Sequence, residues 1–412
     1  MEETEQTVVA LDVGTSKVVA LIGEIGADGT VNVIGKGMRA AQGIKKGVVV
    51  NIEQTVNSIA EAVDAAERTS GYELRGAYVG VGGSHVESLN SPGTVAVSGH
   101  HPEVTREDIE RVTEIARAVN IPSNREILHV LPRGYTVDGQ EGVKDPLGMS
   151  AVRLEVVTHI VTASATALQN LAKCVQQARI TIDDWVADPL AAAEAVLSET
   201  EMDLGVVVAD IGAGTTDIAV FHEGSPLHTA VLPVGGNNVT NDVAIGLKTS
   251  LSEAEELKIR HGTCDLRTVA PEELITVEVI GEQTGRTIQR AEMAAIIEAR
   301  MREIYELIGE EVGRAGHDAI FPAGLVLTGG AAQLAGAAEL GRQALDMPVR
   351  VASPSGVGGL TDGILTPAYS TSIGLLLWGA RALTVQTPSR YESAPAFGLV
   401  GRAREILRGF FP

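Results

Sequence analysis

The sequence predicts an α/β protein made of two related halves, and three observations carry that expectation. Glycine is abundant, at 46 of 412 residues, while aromatics make up 3%. That balance suits many tight strand-to-helix turns better than an all-β sandwich. The segment Leu11-Asp-Val-Gly-Thr-Ser-Lys17 returns half a chain later in VVVADIGAGTTDIAVF (206–221), each time as strand, Asp-x-Gly turn, strand. A hydrophobic content of 44% is enough for two sizeable cores or one large two-lobed body.

Taken in order, residues 7–24 read as two β-branched strands joined by a tight turn at Gly14-Thr-Ser-Lys17. Ile52, Val56, Ile59, Ala60 and Val63 recur at helical spacing and predict a helix over Glu53–Arg68. An apolar strand at Ala77–Val81 ends in Gly82-Gly83. From 84 to about 163 the texture changes to short strands, one amphipathic helix (Glu107–Val119) and a loop over Pro132–Met149, which reads as an inserted α+β subdomain. Helix Ala165–Ala178 restores the earlier pattern. After the second Asp-Gly turn come helical stretches at Leu251–Arg260 and Arg290–Arg314, a glycine turn at LVLTGG (325–330) and a closing helix Thr371–Leu383. Residues 384–396 are polar and proline-bearing and read as a linker.

Lys+Arg total 32 against Asp+Glu 53, a net charge of −21. A body this acidic repels phosphate backbones, which argues against nucleic acid as a partner. Cys174 and Cys264 have no metal-ligand spacing and are too few for a disulfide scaffold, as expected in a reducing cytosol. The acidic N-terminus is not read as a signal peptide. No apolar run approaches the ~20 residues a spanning helix needs.

The two Asp-Gly turns carry the chemistry. Gly14, Gly212 and Gly214 allow backbone N–H groups to converge on phosphate oxygens, while Thr15, Ser16, Thr215 and Thr216 add hydroxyl donors. Lys17 counters phosphate charge. Asp12 and Asp210 end their strands and can hold Mg²⁺ through water, since that ion keeps most of its shell. Gly235, Gly236 and Asn237 open a helix whose N-terminus attracts anions. Glu255 and Lys258, at i and i+3, can grip ribose hydroxyls and a base edge. Gly329, Gly330 and Ala331 let the backbone approach a flat ligand. One such turn alone is ordinary hairpin chemistry; two of them half a chain apart, with a third glycine turn, point to a nucleotide.

The last segment forms an apolar arc. At ~100° per residue, Leu399, Val400, Ala403, Ile406, Leu407, Phe410 and Phe411 fall within roughly 140° of one another. Arg402, Arg404 and Arg408 against Glu405 leave two net positive charges (3 − 1) in an acidic chain. An apolar face flanked by arginines suits a helix lying among anionic lipid headgroups; a helix docked on the protein's own core is the plainer alternative.

The ordered set LDVGTSK, ADIGAGTTDIAVF, PVGGNNVTNDVA, AEELK and VLTGGAAQLAG resembles the actin–hexokinase–Hsp70 superfamily. Within it the chain is most similar to the bacterial FtsA family, through GIKKGVVVNIE (43–53), VLPRGYTVDGQEGVKDPLGMSAVRLE (130–155), KIRHG (258–262) and GLTDGILTPAYSTSIGLLLWG (359–379). The resemblance implies a two-lobed actin-like (ribonuclease H-like) fold with ATP and Mg²⁺ between the lobes. Lobe one is expected over 7–83, 164–204 and 366–383, the family's inserted subdomain over 84–163, and lobe two over 205–245, 246–315 and 316–365. It further implies filaments of the protein itself, later division proteins bound through 84–163, and a C-terminal amphipathic helix (397–412) holding the chain to the cytoplasmic face of the inner membrane.

The outer part, 246–315, is expected to dock the C-terminal tail of FtsZ, with Arg286, Arg290 and Arg300 as candidates because guanidinium forks suit a carboxylate-bearing peptide. Filament-forming relatives often carry Glu or Gln near the segment Trp185-Val-Ala-Asp188. Asp188 is a methylene shorter, so slow or negligible ATP turnover is expected, with ATP mainly a conformational ligand. A PilM-like pilus scaffold or a small-molecule kinase of the same superfamily are the alternatives; neither uses a detachable amphipathic tail.

Overall fold

The computed structural model describes residues 6–97, 103–281, 285–316 and 320–386. Two mixed sheets repeat one plan. In the first, Gln6–Val13, Lys17–Ile25 and Val31–Ala40 form an antiparallel meander, and Gly76–Val81 and Thr181–Ala187 continue it in parallel on the other side of Gln6–Val13. In the second, Val206–Ile211, Thr216–His222 and Ser225–Leu232 form the meander, continued by the parallel strands Leu325–Thr328 and Val349–Val351. The internal repeat read from the sequence is therefore a repeat of topology. Val357–Gly359 crosses back from the second half to pair with Val31–Ala40 in the first sheet.

Between the sheets lies a shared core. Val8, Ala10, Val19 and Leu21 of the first and Val206, Val208 and Ala219 of the second pack against helices Asp188–Val196 and Ser370–Gln386. Those two helices touch where Gly374 meets Ala191; a side chain at Gly374 would overlap the Ala191 carbonyl. The outer face of each sheet has its own core. Helix Ile52–Ser70 covers the first, starting at the Asn51 N-cap and stopping at Gly71 in the left-handed region. It buries Ile59, Ala62, Val63 and Ala66, and sits so close to Val31–Ala40 that Gly37 has no room for a side chain beneath Ala62. Burying Ile59 alone contributes roughly 2–3 kcal/mol. Helix Arg290–Arg314 covers the second, burying Met293, Ile297, Met301, Ile304 and Tyr305.

The insert is an antiparallel sheet of Glu87–Ala96, Arg153–Ser164, Arg125–Val137 and Gln140–Val143, with helix Arg106–Arg117 across it. Its core is its own: Val95, Ile109, Val112, Ala116, Leu154 and Val156. The Pro132–Met149 segment, expected as a loop, holds the end of one strand, a turn and a second strand. Asp138 (φ 48°) and Gly139 (φ 89°) make the left-handed pair that a two-residue hairpin requires. The closing helix runs to Gln386, three residues into the expected linker. The insert continues the second sheet where Glu87 pairs with Ala230. Ser88 Oγ reinforces it, donating to the Thr229 carbonyl at 2.8 Å and accepting the Thr229 N–H at 2.9 Å.

Candidate functional site

The fold brings the two Asp-Gly turns face to face. Each closes with the same bond: Gly14 N–H to the Lys17 carbonyl at 3.0 Å, and Gly212 N–H to the Thr215 carbonyl at 2.9 Å. A methyl group on Gly214 would lie 2.6 Å from Thr15 Oγ1 and 2.8 Å from its Cγ2, so the turns are in contact across the gap between the halves. Thr15 Oγ1 also accepts the Gly47 N–H at 3.1 Å. Ser16 is exposed beside it. Lys17 Nζ donates to the Ala368 carbonyl at 2.5 Å and lies 4.6 Å from the centre of the Tyr369 ring.

Four carboxylates gather behind the turns, Asp12, Asp210 and Asp217 buried and Asp188 partly so. Asp12 and Asp210 accept hydrogen bonds from Ser372 Oγ (2.6 Å) and Thr371 Oγ1 (2.8 Å), both in the first turn of the closing helix. Asp188 is the first residue of helix Asp188–Val196. Asp217 lies on the strand after the second turn, opposite Asp210. Oδ1 of Asp188 and Oδ1 of Asp217 are buried with no hydrogen-bond partner among the described residues. The two groups approach each other across Gly82, where a side chain would overlap Asp188 and come 3.7 Å from Asp217 Oδ1.

Burial raises the pKa of all four. Asp210 is pushed up to about 6, the Thr371 hydrogen bond opposing the shift. Asp12 is raised against the pull of Ser372 and Lys17. Asp188 and Asp217 are raised well above the carboxylate range, first by burial and then by the other acids. Among the described residues no group of three or more His, Cys, Asp or Glu side chains has direct metal-ligand geometry. Orphaned carboxylate oxygens in a cluster of acids instead fit a cation that keeps its water shell.

The segment 235–240 buttresses the second turn. Gly236 and Asn237 N–H groups donate to the carbonyls of Gly212 and Ala213, both at 2.8 Å, and Gly235 N–H is capped by Asn238 Oδ1. These amides are spent on the turn, which corrects the expectation of an anion site at that helix start. Thr216 leaves the phosphate set as well. It is fully buried, and its hydroxyl donates to the Val234 carbonyl at 2.9 Å. The Thr215 hydroxyl donates to Asp217 Oδ2 at 3.1 Å.

Glu255 and Lys258 do meet, at 2.6 Å. Lys258 is buried, with Nζ donating to Thr240 Oγ1 (2.9 Å) and the Gly236 carbonyl (3.2 Å); Thr240 Oγ1 also donates to Glu255. Ala331 flanks the same Gly236. Gly329, at φ 89°, lies against Asp210, whereas the missing side chain of Gly330 would point into open space. Gly236, Lys258 and Ala331 thus lie together beside the second turn, with Gly330 next to Ala331 in the chain.

The docking arginines separate. Arg290 bonds the His261 carbonyl (2.7 Å) and Glu273 (2.8 Å); Arg300 bonds Asp242 and Glu303, both at 2.5 Å. Both are structural ties within the outer part of the second half and do not present free forks. Arg286 is exposed on strand Arg286–Gln289. The apolar arc from Leu399 to Phe411 lies outside the described residues. Among those residues no helix is long and apolar enough to cross a membrane.

A family model described as "Cell division protein FtsA" matches residues 207–374, and one described as "SHS2 domain inserted in FTSA" matches residues 83–162. The chain is 44% identical to Cell division protein FtsA of Pseudomonas aeruginosa, with 99% of each chain covered. It is 42% identical to that of Bacillus subtilis, covering 92% of this chain and 84% of the relative. It is 38% identical to that of Escherichia coli, covering 90% of each. Among solved structures, a PilM-PilN type IV pilus biogenesis complex is similar in fold (TM-score 0.64, 18% identity, 90% of this chain and 98% of that one). MreB5 of Spiroplasma citri bound to ADP is similar as well (TM-score 0.53, 13% identity, 92% and 98%). The pilus-scaffold alternative thus keeps a likeness of fold alone. With an actin-like two-lobed body, an inserted SHS2 domain and near full-length identity of 38–44% to its relatives, the chain belongs to the FtsA family of cell division proteins.

Proposed function

We propose that this protein binds ATP with hydrated Mg²⁺ between its two lobes and uses the nucleotide-set lobe arrangement to assemble on the membrane and tether FtsZ there. The observation that carries this reading is the meeting of the two glycine turns over four clustered carboxylates, two of them with buried, orphaned oxygens. The turn amides, Thr15 and Lys17 hold phosphate oxygens. Asp12 and Asp210 hold the hydrated cation, which screens phosphate charge. Gly236, Lys258, Gly330 and Ala331 wall the nucleoside, with Glu255 tied to Lys258. Asp188 is a methylene shorter than the Glu or Gln that filament-forming relatives carry near this segment and reaches an attacking water poorly, so turnover is slow and ATP acts as a clamp.

Arg286 meets a carboxylate of the FtsZ C-terminal tail on the outer part of lobe two, copies of the chain associate into filaments, and the insert receives later division proteins. Residues 397–412 bind the cytoplasmic face of the inner membrane as an amphipathic helix. The test is co-sedimentation of the full chain with anionic liposomes, ATP and FtsZ, against a chain ending at Ala396. The full chain pellets and carries FtsZ with it, while the shortened chain leaves both in solution. If both forms stay in solution, the tether is wrong.

A further inference from the structure

The insert reaches into the first lobe through one buried imidazole. His129, on strand Arg125–Val137, is 3% exposed, and its Nε2 accepts the Ala187 N–H at 3.0 Å. Ala187 ends the edge strand of the first sheet and immediately precedes Asp188. No side chain caps the helix that Asp188 begins, so His129 fixes the backbone at the point where Asp188 enters the cleft. The same ring packs on Trp378, with centroids 5.2 Å apart and the planes tilted by 57°. Trp378 lies on the closing helix, whose first turn holds Asp12 and Asp210 through Ser372 and Thr371.

On the neighbouring insert strand, His159 makes the matching link to the second lobe. Its ring nitrogens lie 2.9 Å from Asn90 Oδ1 of the insert and 2.9 Å from Thr229 Oγ1 of lobe two. Burial holds the pKa of His129 down to about 4 and that of His159 to about 3. Both rings therefore stay neutral near pH 7, and in its Nδ1–H tautomer His129 offers the Nε2 lone pair to the Ala187 N–H.

We infer that His129 is a positioning residue that couples the inserted subdomain to the nucleotide cleft, through the Ala187 amide to Asp188 and through Trp378 to the helix that carries Ser372 and Thr371. The insert straddles both lobes, so a change in lobe separation alters the His129 contact, and a displacement of the insert by a bound protein moves Asp188. This rests on the nucleotide reading above.

Two variants separate acceptor from ring. His129→Phe keeps the aromatic contact with Trp378 and removes the acceptor; His129→Gln keeps an acceptor of similar reach and removes the ring. Affinities for fluorescent ATP and ADP analogues are measured on the full chain, together with unfolding midpoints. The expected result is a loss of ATP-over-ADP preference of about fivefold or more in His129→Phe, from an orphaned buried N–H beside Asp188, with recovery in His129→Gln. Equal preference in the unmodified chain and His129→Phe overturns the coupling and leaves the nucleotide site standing. No binding by the unmodified chain overturns both. Should His129→Phe fail to fold, hydrogen exchange of the unmodified chain decides. ATP slows exchange at Ala187 and within 125–137 if the two are coupled, and unchanged exchange in 125–137 overturns the proposal.

Discussion

Gly214→Ala isolates the contact between the two turns. Gly214 is not among the glycines with positive φ, so alanine fits its backbone and only the added methyl matters. That methyl would sit 2.6 Å from Thr15 Oγ1, 2.8 Å from Cγ2 and 3.0 Å from Cβ. Overpacking of this kind costs about 1–3 kcal/mol. The outer cores of the two lobes are untouched, so the penalty falls on the contact between the turns, where the proposed nucleotide would sit. ATP affinity should drop by about 5- to 150-fold, while urea unfolding changes by less than about 1 kcal/mol. Thr15→Ala removes the two nearest atoms and should restore part of the affinity in the double variant. Recovery stays incomplete because the Gly47 N–H loses its acceptor, a loss of about 1 kcal/mol. Titration with a fluorescent ATP analogue across the double-mutant cycle measures the coupling. Unchanged affinity in Gly214→Ala, or additive losses with no rescue, would refute a site formed between the turns.

Three further outcomes are expected. The folded pKa of Asp210 is about 6 against an ordinary 3.8, so the folded state retains a proton that the unfolded chain has lost across that window. Stability of the nucleotide-free protein therefore falls as pH rises from 3.8 to about 6; Asp210→Asn should recover at most about 3 kcal/mol in urea unfolding at pH 7 while abolishing Mg²⁺-dependent ATP binding. Lys258→Met strips Glu255 and Thr240 of a buried partner; about 2–3 kcal/mol of stability should be lost, tempered by the half-exposed Glu255, and adenine nucleotide affinity should weaken in the same titration. Gly374→Ala drives a methyl into the Ala191 carbonyl and should destabilise lobe one by more than about 3 kcal/mol, read by thermal unfolding.

The repeat of the two Asp-Gly hairpins was legible because each turn chemistry is local, and it mapped onto a five-strand unit of the same order in each of the two sheets. Asp12 and Asp210 were legible for the same reason. Asp217 was missed, although a lone acid within the apolar strand Thr216–His222 was a signal that something must meet it. Thr216 opens the strand and turns its hydroxyl to the Val234 carbonyl, a fate that only the packed neighbour decides. Asp138-Gly139 announced a hairpin inside what composition suggested was a loop. The fates of Arg290 and Arg300 were beyond reach, because Arg300 finds Asp242 58 residues away in sequence, and only the packed outer lobe brings them together. The link from His129 to Ala187 likewise spans 58 residues.

The strand pairing between the insert and the second sheet bears on how the chain is made. Ser88 meets Thr229 across 141 residues of sequence, so the insert, with a core of its own, is synthesised well before its lobe-two partner strand exists. During that interval one side of Glu87–Ala96 is a bare strand edge, the kind that recruits strands from other chains. The edge carries its own protection: Glu87, Ser88, Asn90 and Ser91 are polar, and Pro92 offers no N–H to a passing strand. The polar residues and proline that shape one side of a domain joint are thus of the kind that blunts an unpaired edge.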